Sequence, residues 1–189
     1  MKKTGITVIV ATAMIFAAGC ASTEKNENTK EGVKEMSYVE KNQIRNEIVV
    51  DCPQEIMDMR VEADGYGKVS HVVYHSETCG MDRGFSILLP QSYDGEKKYP
   101  VIYFQHGIFG DEYCMINDAN NKFREITTNL AMDGNAKEVI MVFGHMYAAT
   151  DPNMKPGFAQ EAVLPYDNFI NELINDLMPY VESHYAVLT

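Results

Sequence analysis

Positive charge is scarce in this sequence. Sixteen lysines and arginines stand against 27 aspartates and glutamates, a net charge of −11. That excludes a nucleic-acid partner, which calls for basic patches. An apolar run long enough for a comfortable membrane-spanning helix is also missing. The apolar run at residues 6–18 falls short of the ~20 residues a span requires and ends in small side chains. Cysteine is sparse. After Cys20 come only Cys52, Cys79 and Cys114, at spacings of 27 and 35 that match no zinc pattern. No cofactor and no metal are expected, and no internal repeat occurs. A Gly-x-Ser-x-Gly turn is found nowhere in the 189 residues. Wholesale disorder is excluded in turn, because 46% of the residues are hydrophobic and supply a sizeable core.

Residues 1–19 are a different material from the rest. Lys2 and Lys3 precede the apolar run, which closes on Ala17, Ala18 and Gly19 before Cys20. This is the layout of a secretory signal peptide. A cysteine directly after Ala-Ala-Gly resembles the bacterial lipobox. The resemblance implies diacylglyceryl attachment at Cys20, cleavage before it, and export to the outer side of a bacterial membrane. An ordinary signal peptide with an incidental cysteine is the plainer alternative. Cleavage would remove two lysines and no acid, taking the charge from −11 to −13. Residues 20–37 then form the lipidated cysteine and a polar tether, long enough to span roughly 20–25 Å. The remaining cysteines are odd in number, so they are free thiols or include at most one disulfide.

The domain proper is expected at residues 38–189. Residues 48–50 suit a short strand. Residues 69–75 and 83–89 alternate and are rich in β-branched side chains, so they predict an antiparallel hairpin turning at Cys79-Gly80. Residues 101–104 and 139–143 are short continuous apolar runs, which suit strands buried on both faces. Residues 117–132 carry helical spacing, with Phe123, Ile126 and Leu130 on one side. Residues 148–164 hold Pro152, Pro156 and Gly157 and predict a loop. A strong amphipathic helix follows. Its apolar face is Tyr166, Phe169, Ile170, Leu173, Ile174, Leu177 and Val181, with Asp167, Asn171, Glu172, Asn175 and Asp176 on the polar side. Pro179 is expected to bend its last turn. Alternating strands and helices imply an α/β fold with a mostly parallel sheet. No further strand is expected after Tyr185.

Chemistry concentrates after the strand at 101–104. Gln105, His106, Gly107, Ile108, Phe109, Gly110, Asp111 and Glu112 run in order. Glycine at a strand end permits a sharp turn and close approach of a ligand to the backbone. The stretch Tyr99-Pro-Val-Ile-Tyr-Phe-Gln-His-Gly-Ile-Phe-Gly-Asp-Glu resembles the P-V-x-Y-x-x-H-G-x-x-G-x-E segment of a family of α/β-hydrolase esterases. Feruloyl esterases, acetylxylan esterases, esterase D and mycobacterial mycolyltransferases are members. The helix Tyr166-Asp-Asn-Phe-Ile-Asn-Glu-Leu-Ile-Asn-Asp-Leu-Met-Pro-Tyr-Val-Glu-Ser-His-Tyr and the strand Phe85-Ser-Ile-Leu-Leu-Pro resemble the same family, in the same order. Together they cover residues 69–189.

The resemblance implies an α/β-hydrolase whose sheet opens with an antiparallel hairpin. It also implies a serine carboxylesterase acting on a small ester or a polysaccharide ester, with feruloyl or acetyl groups as the acyl part. The Ile108 N–H is the expected oxyanion donor. Gly107, Phe109 and Gly110 are expected to line the same edge, and His145 to contact substrate or to be an idle loop residue. The triad Ser, Asp and His of the family fall beyond the sequence, so the chain is expected to be truncated before the nucleophile strand and inactive as it stands. Two other readings stay open: a non-catalytic surface lipoprotein binding carbohydrate or a protein partner, and an incomplete gene product. His106 is expected to be structural rather than a general base. Asp111 and Glu112 are expected to be solvated loop acids, with contact to a substrate hydroxyl as the alternative, and His71, His75 and His184 to have no supporting constellation.

Overall fold

A computed structural model describes residues 52–188. The signal peptide at 1–19, Cys20, the tether at 20–37 and the strand expected at 48–50 lie outside the described residues.

The expected hairpin forms. Strand β1 (Lys68–Ser76) pairs antiparallel with β2 (Met81–Leu89), from Lys68 opposite Leu89 to Ser76 opposite Met81. Four residues close it, and the last, Gly80, takes φ +66°, a backbone region open to glycine. Strand β3 is Val101–Gln105, and β4 is Ile140–Gly144. The sheet order is β1-β2-β4-β3. Of its three interfaces only β3–β4 is parallel, because β2 meets β4 antiparallel. The mostly parallel sheet read from the sequence is therefore a mixed one among the described residues. The hairpin adds its second strand to β4 rather than standing apart.

Period-two alternation sorts β4 into two cores. Ile140 and Val142 join Phe85, Ile87, Phe169, Leu173, Leu177 and Val181 on one face. Met141 and Phe143 join Leu88, Phe104 and Phe123 on the other. Helices thus cover both sides, and every residue of β4 is buried. Strand β3 is not buried on both faces as its apolar run predicts. It ends the four-strand order, and Ile102 is partly exposed. The chain does supply a partner there. Tyr99 and Val187 form a parallel bridge, with the Tyr99 N–H donating to the Ala186 carbonyl at 2.9 Å and the Leu188 N–H to the Tyr99 carbonyl at 2.8 Å. This is an isolated bridge and not a strand, so among the described residues no strand follows Tyr185, as expected.

A four-residue helix, α1 (Gln54–Met57), precedes the sheet. Helix α2 covers Phe123–Met132, six residues later than expected, because residues 111–121 fold into turns and Lys122 sits at φ +50°. Asn129 on α2 is fully buried and donates to the carbonyls of Ile56 and Asp58, tying α1 down. Helix α3 (Gln160–Glu172) starts within the predicted loop and includes Pro165. A π-turn at Leu173–Leu177 leads into α4 (Met178–His184). Pro179 has no N–H for the Asn175 carbonyl, and its ring crowds that carbonyl. A widened turn before it relieves both conflicts, so the expected bend is a π-bulge. Two residues assigned to the apolar face, Ile170 and Ile174, are exposed, whereas Glu172, assigned to the polar face, is fully buried.

Candidate functional site

Gln105 pairs with Gly144, so β3 and β4 end side by side. The segments that follow, 106–112 and 145–147, are therefore neighbours. His106 is the pin between them. It is 5% exposed, and its Nε2 accepts the Met146 N–H at 2.9 Å. Nδ1 must then carry the ring proton, which it donates to the Gly107 carbonyl at 2.6 Å. Burial lowers the pKa of this imidazole, and the His145 ring nearby adds to the effect. With both nitrogens engaged, His106 is a structural hydrogen-bonder, as expected from the sequence.

The turn places Gly107, Ile108, Phe109 and Gly110 together. Gly110 N–H donates to the Gly107 carbonyl at 3.1 Å. Phe109 takes φ +67°, an outlier for a bulky side chain, and its N–H donates to the Tyr166 hydroxyl at 3.2 Å. Among the described residues the Ile108 N–H has no hydrogen-bond acceptor. Its side chain is exposed, and no described residue lies within 4 Å of where a Cβ on Gly107 would stand. Among the described residues the Gly107 N–H is likewise without an acceptor, so the turn offers adjacent unpaired backbone donors, Ile108 among them, beside an open approach, which is what a developing oxyanion needs. Phe109 and Phe158 meet edge to face at 5.3 Å, as do Tyr147 and Tyr166 at 5.0 Å, giving the turn an aromatic flank.

Gly110 is fixed by space. A Cβ there would lie 2.8 Å from His106 Nδ1 and 2.9 Å from Cys114 Sγ. We expect Gly110→Ala to cost about 1–3 kcal/mol of stability by overpacking, read from urea unfolding. An unchanged midpoint would contradict this crowding.

His145 stands at the end of β4, its ring 5.5 Å from that of His106. Glu112 is not a solvated loop acid. It is buried, with His145 Nδ1 at 3.1 Å from Oε2 and His71 Nε2 at 3.1 Å from Oε1. His71 therefore has a constellation after all, and it stacks on Tyr113 at 4.7 Å. Burial would raise the Glu112 carboxyl, but hydrogen bonds from His145, its own backbone N–H and His71 hold it down at about 2. Asp111 does behave as a loop acid, accepting the N–H groups of Tyr113 and Cys114. No local spacing could have revealed the His71, Glu112 and His145 cluster, since its members come from three separate elements. Cys52, Cys79 and Cys114 are free thiols, and only Cys79 is buried.

Two pKa shifts act in the same direction. Glu112 is depressed from its ordinary 4.5, so its contribution to stability is full above pH 4.5 and is lost as pH falls through about 2. His106 is also lowered, so the unfolded chain takes up a proton that the native ring refuses below its ordinary 6.5. Urea midpoints are expected to fall steadily on acidification, and Glu112→Gln should flatten the limb below pH 4.5. An unaltered acid limb in that variant would contradict the assignment.

A second buried cluster supports the site from behind. Glu172 Oε1 accepts the Tyr74 hydroxyl at 2.6 Å and Arg83 Nε at 2.8 Å. Arg83 Nη1 and Nη2 donate to the Tyr147 and His145 carbonyls at 2.8 and 2.5 Å. Glu172 continues the stripe of Ala162, Pro165 and Phe169 at helical spacing, and this was the available signal. A cavity of about 420 Å³ lies away from the turn, near Gly67, Leu88 and Glu138 at the opposite end of the sheet.

Residues 76–189 match the family described as "Putative esterase". Among solved structures, the chain is similar to a ferulic acid esterase of Anaeromyces mucronatus, solved in complex with ferulic acid. The two are 39% identical over 73% of this chain and 50% of that one, with a TM-score of 0.65. The feruloyl esterase module of Clostridium thermocellum, complexed with sinapinate, matches over 72% of this chain and 41% of its own. At 21% identity and a TM-score of 0.55, it speaks for the fold alone. The chain spans about half the length, or less, of these solved relatives.

Proposed function

Because the chain belongs to this esterase family, we propose that it serves carboxylic ester hydrolysis by a serine mechanism, contributing the oxyanion donor on the Ile108 N–H. The observation that carries the proposal is that N–H, which has no acceptor among the described residues, in a turn pinned by His106 next to space that no described residue fills. Acyl transfer builds negative charge on one oxygen, and a fixed donor aimed at it lowers the barrier without reorganising. The reaction also needs a nucleophile, a base and an orienting acid. These 189 residues hold no Gly-x-Ser-x-Gly turn, so those parts of the mechanism are not assigned to residues of this chain.

Feruloyl or acetyl esters on plant polysaccharide are the proposed substrates. The aromatic flank of Phe109, Phe158, Tyr147 and Tyr166 suits an aromatic acyl group. Export and lipid attachment at Cys20 are proposed with it, since such a polymer is met outside the cell. Two acyl chains would hold the protein stably, at about 0.8 kcal/mol per buried CH₂. The test is hydrolysis of methyl ferulate and 4-nitrophenyl acetate by the product of the whole reading frame that contains these residues. Turnover blocked by a serine-directed phosphonate is the expected result. No hydrolysis of either ester would sink the proposal.

A further inference from the structure

We infer that Glu112 is a positioning residue that locks His145 with its proton on Nδ1. The bare Nε2 then stands beside the 106–110 turn as an acceptor for a ligand hydroxyl. The hydroxyl half of this inference rests on the ester-hydrolase reading above; the lock does not.

Glu112 presents both carboxylate oxygens to imidazoles, Oε2 to His145 Nδ1 and Oε1 to His71 Nε2, each at 3.1 Å. The His71 contact is a hydrogen bond and the His145 contact an ion-pair approach at the same distance; a carboxylate oxygen only accepts, so each facing nitrogen must carry a proton, or two lone pairs would meet at 3.1 Å. In a neutral imidazole that leaves the other nitrogen bare, and the partner of one nitrogen thus decides the chemistry of the other. His145 Nε2 has no protein partner among the described residues, and the side chain is 31% exposed. His106, at 5.5 Å, cannot compete for it because both of its nitrogens are engaged.

The surroundings are built for this arrangement. Gly84 on β2 leaves the room: a Cβ there would stand 2.5 Å from His71 Nε2 and 2.8 Å from Glu112 Oε1. Arg83, the next residue along, grips the His145 carbonyl at 2.5 Å and so fixes the backbone of the same histidine. His71 is held flat on Tyr113, which makes it a second anchor for Glu112. Side chain and main chain of His145 are therefore both constrained, while one nitrogen of the partly exposed ring has no partner among the described residues. Sugar hydroxyls are the fitting class of donor, being neutral and abundant on the alcohol side of a polysaccharide ester.

Long-range ¹⁵N–¹H NMR of the full chain reads the tautomers directly, at about pH 8 to stay well above the ordinary imidazole pKa. A bare Nε2 on His145 and a bare Nδ1 on His71 are expected. Glu112→Gln keeps the shape but has one acceptor oxygen, so at least one ring must change tautomer. His71→Phe keeps the stack on Tyr113 and should leave His145 locked. Three results overturn the lock: His145 protonated mainly on Nε2, both rings unchanged in Glu112→Gln, or His145 released in His71→Phe. Addition of L-arabinose should move the His145 Nε2 resonance and leave His71 Nδ1 in place. An equal response at both, or none, overturns hydroxyl capture. Failure of ester hydrolysis with the expected tautomers would count against the proposed reaction and not against the lock.

Discussion

Glu172→Ala is expected to lower the free energy of unfolding by about 3–5 kcal/mol, the usual result of stripping one partner from a buried ion pair. Glu172 is fully buried, and its oxygens take up the Tyr74 hydroxyl and two Arg83 nitrogens. Without the carboxylate, Arg83 keeps its charge in a site where its side chain is only 10% exposed. Burial works against that charge; the Glu172 hydrogen bond and charge outweigh it and hold the guanidinium protonated. Burial and the Glu172 charge together push the Tyr74 hydroxyl up, so it stays a donor with no acceptor in the variant. Against a typical domain stability of about 5–15 kcal/mol, the loss is a large fraction. Tyr74→Phe removes a single hydrogen bond to a charged group and should cost less, about 1.5–3 kcal/mol. The pair Arg83→Met with Glu172→Leu removes both charges and should recover much of the deficit. Urea unfolding of the four proteins tests the scheme, and a loss below about 1 kcal/mol in Glu172→Ala would refute it.

Ile108→Pro is expected to reduce kcat by about 10²–10³ in a form of the protein that turns over ester, the range found on removing an oxyanion donor. Proline removes the N–H while keeping a negative φ, and Ile108 is not among the residues at positive φ. The comparison that gives this meaning is Ile108→Ala. It keeps the N–H and trims an exposed side chain, so kcat should stay within a few-fold of the parent. Equal activity in the two variants would place the donor elsewhere. Equal loss in both would point to the side chain instead.

Much of this molecule was legible in one dimension because its signals are local. The hairpin follows from β-branched alternation interrupted at Cys79-Gly80, where Gly80 supplies the φ of +66° that the turn needs. Strand β4 follows from an apolar run, and its burial on both faces is what that run predicts. The 106–110 turn follows from two glycines behind a strand. Boundaries were less legible. Helix α3 begins at Gln160, ahead of a proline that reads as a breaker, because a buried stripe from Ala162 to Glu172 outweighs one missing N–H. Helix α2 begins late because the turns before it and the left-handed Lys122 interrupt the helical pattern.

By itself, then, the sequence determined the α/β class, the order of the elements and the turn that carries the candidate donor, since each depends on residues within a few positions of one another. Only the tertiary structure decided which polar groups are buried and with whom. Glu172 reads as a surface residue until Arg83 and Tyr74, roughly ninety or more positions away, supply its hydrogen bonds. Glu112 reads as a loop acid until His71 closes on it from β1 and His145 from the segment that follows β4. Burying a charge is unfavourable unless partners meet it, and for these two carboxylates the fold alone brings those partners together.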